Sequence, residues 1–293
     1  MFYVQLLFIC MSCIVILVML YKRDASLAVM KTTKPIVIPL NIFQTWYTKK
    51  LPPKMEECVD SIKKCNPEFK YFLFDDDECR EFIKSNFDAD VLYSYDSLIP
   101  GAFKADLWRY CILYKHGGIY LDIKYKCING FKFITLTTDE HFVRDRYEVL
   151  NRLAVYNALM ICKPGNEILL KCIHRIVENV REKFYGISGL HITGPLMMVE
   201  FFTPSEKRKL NNIYHYDQDG YYYIVSGRKK FLMIYPEYRK EQVKHQNKKH
   251  YSVLWGERNK RIFVEVILSV DINFIEYIAL IFLDEIQSSL ILP

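Results

Sequence analysis

Between Gly117 and Lys124 the chain reads GGIYLDIK: two glycines, a short apolar run, then a carboxylate, one spacer and a lysine. A carboxylate at a strand end, one residue from a second carboxylate, is a common way to hold a divalent cation against a diphosphate. Here the second position is Lys124, whose ammonium repels such a cation but attracts a diphosphate. Just upstream, KADLWRY sets Asp106 and Arg109 three residues apart, on one face of a helix. The residues also fit an intrahelical ion pair and an aspartate that caps a turn, so both readings stay open. A second acidic run, Asp75 to Asp77 in FDDDEC, sits between a strand pattern and a helix pattern and reads as a helix cap.

These residues need elements to position them. PIVIPLNIFQTW reads as a buried first strand, MEECVDSIKKC as a helix, FKYFLF as a strand and DDDECREFIKSNF as a helix behind its acidic cap. GAFKADLWRYCILYKHGG is a helix stopped by glycines, and GIYLDI the strand after it. LAVYNALMICKPG and NEILLKCIHRIVENVREKF continue the alternation as strand and helix, and Gly194-Pro195 opens a further helix whose amides could line a ligand. The alternation predicts an α/β fold whose mostly parallel sheet is covered on both faces. Strand-end Asp122 then lies where such sheets bind ligands.

At 293 residues and 51% hydrophobic, the chain can bury a full core. A formal charge of +6, with basic residues dispersed, suits an anionic small ligand or a membrane surface and does not call for nucleic acid. The nine cysteines show no paired or metal-type spacing and read as buried thiols. Phe2 to Tyr21 carry no charge over a length sufficient to cross a bilayer, which predicts a transmembrane anchor over residues 1–21 and a stem over 22–35. Lys22, Arg23, Lys31 and Lys34 after the run, and the lack of N-x-S/T sequons, point the large domain to the cytoplasmic face. Residues 261–293 are apolar but interrupted by acids, a packed or membrane-skimming tail. No G-x-G-x-x-G, P-loop, G-x-S-x-G or H-E-x-x-H occurs.

Five blocks, IPLNIFQTWYTKKLPP, FKADLWRYCILYKHGGIYLDIK, VYNALMICKPGNEIL, ITGP and HYSVLW, together resemble glycosyltransferase family 32, the D-x-D sugar transferases of fungal Golgi, clostridial toxins and large DNA viruses. The resemblance covers about Ile36 to Trp255 and implies a GT-A fold over residues 36–260. It also implies retaining transfer of a hexose from a nucleotide-sugar donor to a glycan, glycolipid or protein acceptor. By that likeness Asp106 and Arg109 hold the donor sugar, Tyr120 lines the nucleotide pocket, and Asp122 contacts the ribose and an Mn²⁺ or Mg²⁺ ion. His250, with Ser252 and Trp255 beside it in HYSVLW, becomes the candidate second metal ligand, and His245 a weaker one. Trp46, Asn157 and Trp255 complete the donor-binding set, with Asn157 toward the acceptor. The likeness to Golgi enzymes favours a lumenal domain, against the charge pattern.

Lys124 departs from the family pattern, and three consequences follow. It replaces the ion as the cation on the leaving diphosphate, or it points away while Asp122 and His250 hold the ion. In the third, turnover is lost and the protein only binds nucleotide sugars or carbohydrate. No catalytic base need be visible, because the leaving diphosphate can take the acceptor's proton.

Overall fold

The computed structural model describes residues 35–146, 153–246, 249–257 and 263. The expected anchor over 1–21, nearly all of the stem and nearly all of the 261–293 tail lie outside them. Among the described residues no helix is long and apolar enough to cross a membrane. Phe263 is described: it bridges to Leu98, is buried, and sets its ring edge-on to Tyr185.

Nine strands among the described residues form one sheet in the order β2-β1-β3-β6-β5-β7-β8-β9-β4. They are β1 (Asn41–Thr45), β2 (Lys70–Phe74), β3 (Gly118–Leu121), β4 (Tyr125–Cys127), β5 (His141–Arg144), β6 (Val155–Cys162), β7 (Ile213–Gln218), β8 (Tyr221–Ser226) and β9 (Lys229–Ile234). The sheet is mixed, which corrects the mostly parallel sheet read from the alternation. β1 runs parallel to β2 and to β3, and β5 to β7, whereas β6 is antiparallel to both β3 and β5. β7, β8, β9 and β4 form an antiparallel run. Part of the reason was readable: Asp219 and Gly220, both at positive φ, make the two-residue turn that joins β7 to β8.

Most other elements match the sequence patterns. Helix α1 (Pro53–Cys65) begins with proline in its first turn, and α2 (Asp76–Asn86) begins with a capping box. In that box the Glu78 amide donates to Asp75 at 2.9 Å and the Asp75 amide to Glu78 at 3.1 Å, so Asp75 serves the helix. A short helix, α3 (Ala89–Ser97), had no counterpart in the sequence reading; Asp88 caps it by accepting from the Val91 amide. Helix α4 (Gly101–His116) ends at Gly117, whose φ of 60° and amide bond to the Leu113 carbonyl close the last turn. Helix α5 (Glu167–Arg181) is capped by Asn166.

The strands alternate between two apolar layers, as the pleat requires. On β3, Tyr120 joins the helices α2 to α5 in one layer, while Ile119 and Leu121 join Ile62 of α1 and the β7 to β9 strands in the other. All four residues of β3 are therefore buried. Cys58, Cys79, Cys111, Cys162 and Cys172 are buried free thiols, and Cys65 and Cys127 are half-buried.

Candidate active site

The end of β3 is the centre of the site. The Asp122 amide donates to the Ala158 carbonyl on β6 at 2.8 Å, and the Tyr125 amide returns to the Asp122 carbonyl at 3.2 Å. Asp122 to Tyr125 is thus a turn between β3 and β4, with aspartate at its favoured first position. The Lys124 carbonyl accepts from the Tyr235 amide at 3.1 Å, which ties this turn down. The two side chains meet: the Lys124 ammonium donates to Asp122 Oδ2 at 2.5 Å. The other oxygen, Oδ1, accepts from the Tyr120 hydroxyl at 2.8 Å and lies 3.2 Å from Arg109 Nη1.

Arg109 projects from α4 through the wall of the helix layer. It donates to the Ala105 carbonyl at 3.0 Å and the Asn157 carbonyl at 2.9 Å, and its guanidinium stacks 4.4 Å over the Tyr120 ring. Its Nη2 lies 3.4 Å from Asp106, one turn earlier. Asp106 takes two more donors from distant parts of the chain, the Asn157 amide at 2.9 Å and the Thr193 hydroxyl at 2.7 Å. Tyr110 links the same groups, donating to the Thr193 carbonyl at 3.0 Å and accepting from Asn157 at 2.8 Å. Asp106 and Arg109 are 9% and 6% exposed, so each polar atom matters in a medium that screens poorly.

Beyond Lys124 lies an aromatic wall. Its ammonium is 5.6 Å from the Tyr125 ring centroid and 5.3 Å from that of Tyr156, and the two hydroxyls bond to each other at 2.8 Å. Tyr156 stacks on His215 with centroids 4.0 Å apart, and His215 Nδ1 lies 3.4 Å from Asp145.

The two carboxylates titrate in opposite directions. Burial pushes the Asp106 carboxyl up to about 6, although Arg109, Thr193 and Asn157 pull the other way. Burial also acts upward on Asp122, but the Lys124 and Arg109 charges outweigh it and hold that carboxyl below its ordinary value. Because the folded chain holds the Asp106 proton more tightly than the unfolded chain does, this group's contribution to stability is full below the ordinary value of 3.8 and is lost as pH rises through about 6. Asp122 works the other way and only at lower pH, where its stabilising charge is lost. Between about pH 4 and about pH 6 the parent should lose stability relative to Asp106→Asn in urea titrations. Parallel pH profiles for the two proteins would show that Asp106 does not titrate there.

Other residues singled out from the sequence are distributed as follows. Tyr120 is at the centre, beneath Arg109 and edge-on to Trp108. Trp46 is 5% exposed and packs with Met55, Cys58, Val59, Ile123 and Tyr235, and among the described residues its buried indole N–H has no hydrogen-bond partner. His250 caps the short helix Tyr251–Gly256, with Nδ1 2.7 Å from the Ser252 hydroxyl. Burial, then the Arg239 and Lys124 charges, depress its basicity. Trp255 donates to the Tyr185 carbonyl at 2.8 Å. His245 is exposed and engaged through its carbonyl by Tyr47. The helix at Gly194-Pro195 is short and buried (Pro195–Met198), and its Leu196 amide is spent on the Leu190 carbonyl. Sequence reading missed Tyr110, Tyr156 and Thr193. Tyr156 and Thr193 stand inside the blocks VYNALM and ITGP, but nothing in their spacing says where they point.

A divalent ion has a poor seat here. Both Asp122 oxygens already face a cation or a hydroxyl donor, and Lys124 stands where a second carboxylate would. Among the described residues no group of three or more His, Cys, Asp or Glu is placed to hold a metal. These residues do not fit the metal that the D-x-D pattern implies.

A buried charge cluster beyond a strand end of an α/β sheet lies where such sheets commonly bind small polar ligands. Residues 52–141 match the family model described as the glycosyltransferase sugar-binding region containing DXD motif, which bears out the resemblance carried by the central block. Inositol phosphoceramide mannosyltransferase 3 of Schizosaccharomyces pombe is 41% identical over 90 residues, 31% of this chain and 25% of that protein. Inositol phosphoceramide mannosyltransferase 2 of the same yeast is 30% identical over 179 residues, 60% of this chain and 49% of that protein. The chain thus spans half or less of the length of these curated relatives. The solved PaToxG glycosyltransferase superposes with a TM-score of 0.45 at 19% identity, over 60% of this chain and 73% of that one, too loosely to add to the topology above.

Proposed function

We propose that this protein is a glycosyltransferase of GT-A type that moves a hexose, mannose or a glucose/galactose type, from a nucleotide-sugar donor to a glycan, glycolipid or protein acceptor with retention of configuration. The observation that carries the reading is the convergence, within the matched residues 52–141, of Asp106, Arg109 and Asp122 into one buried cluster at the end of β3. The two yeast relatives are named as mannosyltransferases, which favours mannose as the sugar. The uncharged run from Phe2 to Tyr21 supports anchorage to a membrane.

In this reading Asp106 and Arg109 receive the sugar hydroxyls. Both are held by other bonds before the donor arrives, so little reorganisation is left for the reacting complex. Asp106 Oδ2 accepts from the Thr193 hydroxyl, and a carboxylate oxygen can accept a second bond. Asp122 takes the ribose, and Tyr120, buried beneath Arg109 and not open to the nucleotide, acts through its hydroxyl bond to Asp122. Trp46, Asn157 and Trp255 are assigned as the remaining donor-side residues, with Asn157 toward the acceptor. The bond from the sugar's anomeric carbon to the diphosphate breaks, a bond to the acceptor oxygen forms on the same face, and the acceptor's proton passes to the diphosphate.

The test is release of nucleoside diphosphate by the full chain from UDP-glucose, UDP-galactose, UDP-N-acetylglucosamine and GDP-mannose. Release from one donor, lost in Asp106→Asn, is the expected result. Donor binding with no release from any of them would make the protein a nucleotide-sugar binder and end the transferase reading.

A further inference from the structure

We propose that Lys124 takes the place of a divalent cation in this protein: its ammonium, held by Asp122 beside the rings of Tyr125 and Tyr156, receives the donor's diphosphate, and donor binding needs no metal. This rests on the donor-site reading above and deepens it.

Charge balance is the first argument. The buried cluster holds two carboxylates, Asp106 and Asp122, and two cations, Arg109 and Lys124, joined by contacts of 2.5 to 3.4 Å. The count is even without a metal. A carboxylate at position 124 would leave three acids against one cation, a deficit that one divalent ion makes good. Adding that ion while Lys124 remains would leave two uncompensated positive charges in a poorly screened interior.

Geometry is the second argument. Asp122 Oδ2 is occupied by Lys124 at 2.5 Å, and Oδ1 by Tyr120 at 2.8 Å and Arg109 at 3.2 Å, so a metal would have to displace a cation from either oxygen. The Lys124 stem leaves a turn held at both ends, and its ammonium is 5.6 and 5.3 Å from two aromatic centroids, which narrows its directions. An ammonium has three donors, and one points at Asp122. A second reaches the Tyr156 hydroxyl, which leaves one for a phosphate oxygen, and the side chain keeps 17% of its surface exposed. Burial opposes the charge on Lys124, but Asp122 more than restores it, so the cation is present throughout the physiological range.

The experiment measures UDP and GDP binding to the full chain by calorimetry, once with chelator and once with saturating Mn²⁺. The expected result is equal affinity in the two conditions. Lys124→Met should weaken binding about ten- to a hundredfold, Lys124→Arg should restore most of it, and Lys124→Asp should make binding depend on Mn²⁺. Binding is read well below each variant's own melting temperature, which separates lost binding from lost folding. Binding by the parent that disappears with chelator overturns the proposal and leaves the donor site standing. Absence of any nucleotide binding in both conditions overturns the proposal together with the donor-site reading. Metal-independent binding without sugar transfer keeps Lys124 in its role and removes only the transferase activity.

Discussion

Arg109→Leu is expected to destabilise the fold by about 3–5 kcal/mol, the cost of leaving buried charges without their partner. Among the described residues Arg109 is the one cation that touches both Asp106 and Asp122, at 3.4 and 3.2 Å, and it also satisfies the Ala105 and Asn157 carbonyls. Leucine keeps the apolar contacts along the α4 stem but leaves two carboxylates and two carbonyls short of a donor. Arg175→Leu is the control. That side chain is 37% exposed and pairs with Glu178 and Glu200 at the surface, where removing a pair costs about 1 kcal/mol or less. Urea midpoints at neutral pH read both. If the two substitutions cost the same, the buried cluster is not the electrostatic centre described here.

The second large effect belongs to a glycine. Gly118 has a φ of +108°, and a Cβ built there would come within 2.8 Å of the Asn41 carbonyl oxygen on β1. The obstacle is backbone, so Gly118→Ala should cost on the order of 3 kcal/mol from crowding and strain together. It should also shift β3 against β1, and with it Asp122, so that nucleotide affinity falls along with stability. Gly165→Ala is the comparison, because Gly165 has a φ of +74° but nothing within 4 Å. Its cost is strain alone, about 1 kcal/mol. Equal urea midpoints for the two alanine variants would refute the close approach of β1 and β3. Gly117 is crowded as well, with Pro164 2.6 Å from its would-be Cβ, which explains why the pair precedes the strand: one glycine ends α4 and the next lets β3 lie against β1.

These two cases divide what is readable locally from what is not. The capping box at Asp75 and the helix stop at Gly117 depend on bonds across three or four residues and are legible in the sequence, whereas the Asp122 to Tyr125 turn is one of two readings the sequence leaves open. The sheet was read as mostly parallel because alternating strands and helices suggest crossovers. The Asp-Gly turn at Asp219-Gly220 was the available sign of the antiparallel run, and α3 was missed because its capping Asp88 follows closely on the end of α2. His250 and Trp255 were legible as a motif, yet motif spacing says nothing of their partners, which are Ser252 and the Tyr185 carbonyl.

The sequence by itself determined the class of chemistry: an acid and an arginine one helical turn apart, a strand-end aspartate, and a lysine where a second acid is expected. Only the tertiary structure decided what those groups are paired with. Asn157 and Thr193 reach Asp106 across 51 and 87 residues, and Arg109 meets Asp122 only because α4 packs over β3. Residue type and spacing report on the face of one element, whereas the charge state and free valences of a buried group depend on every element packed against it. That is why Lys124 leaves three readings open in the sequence, and in the fold is the cation that balances Asp122.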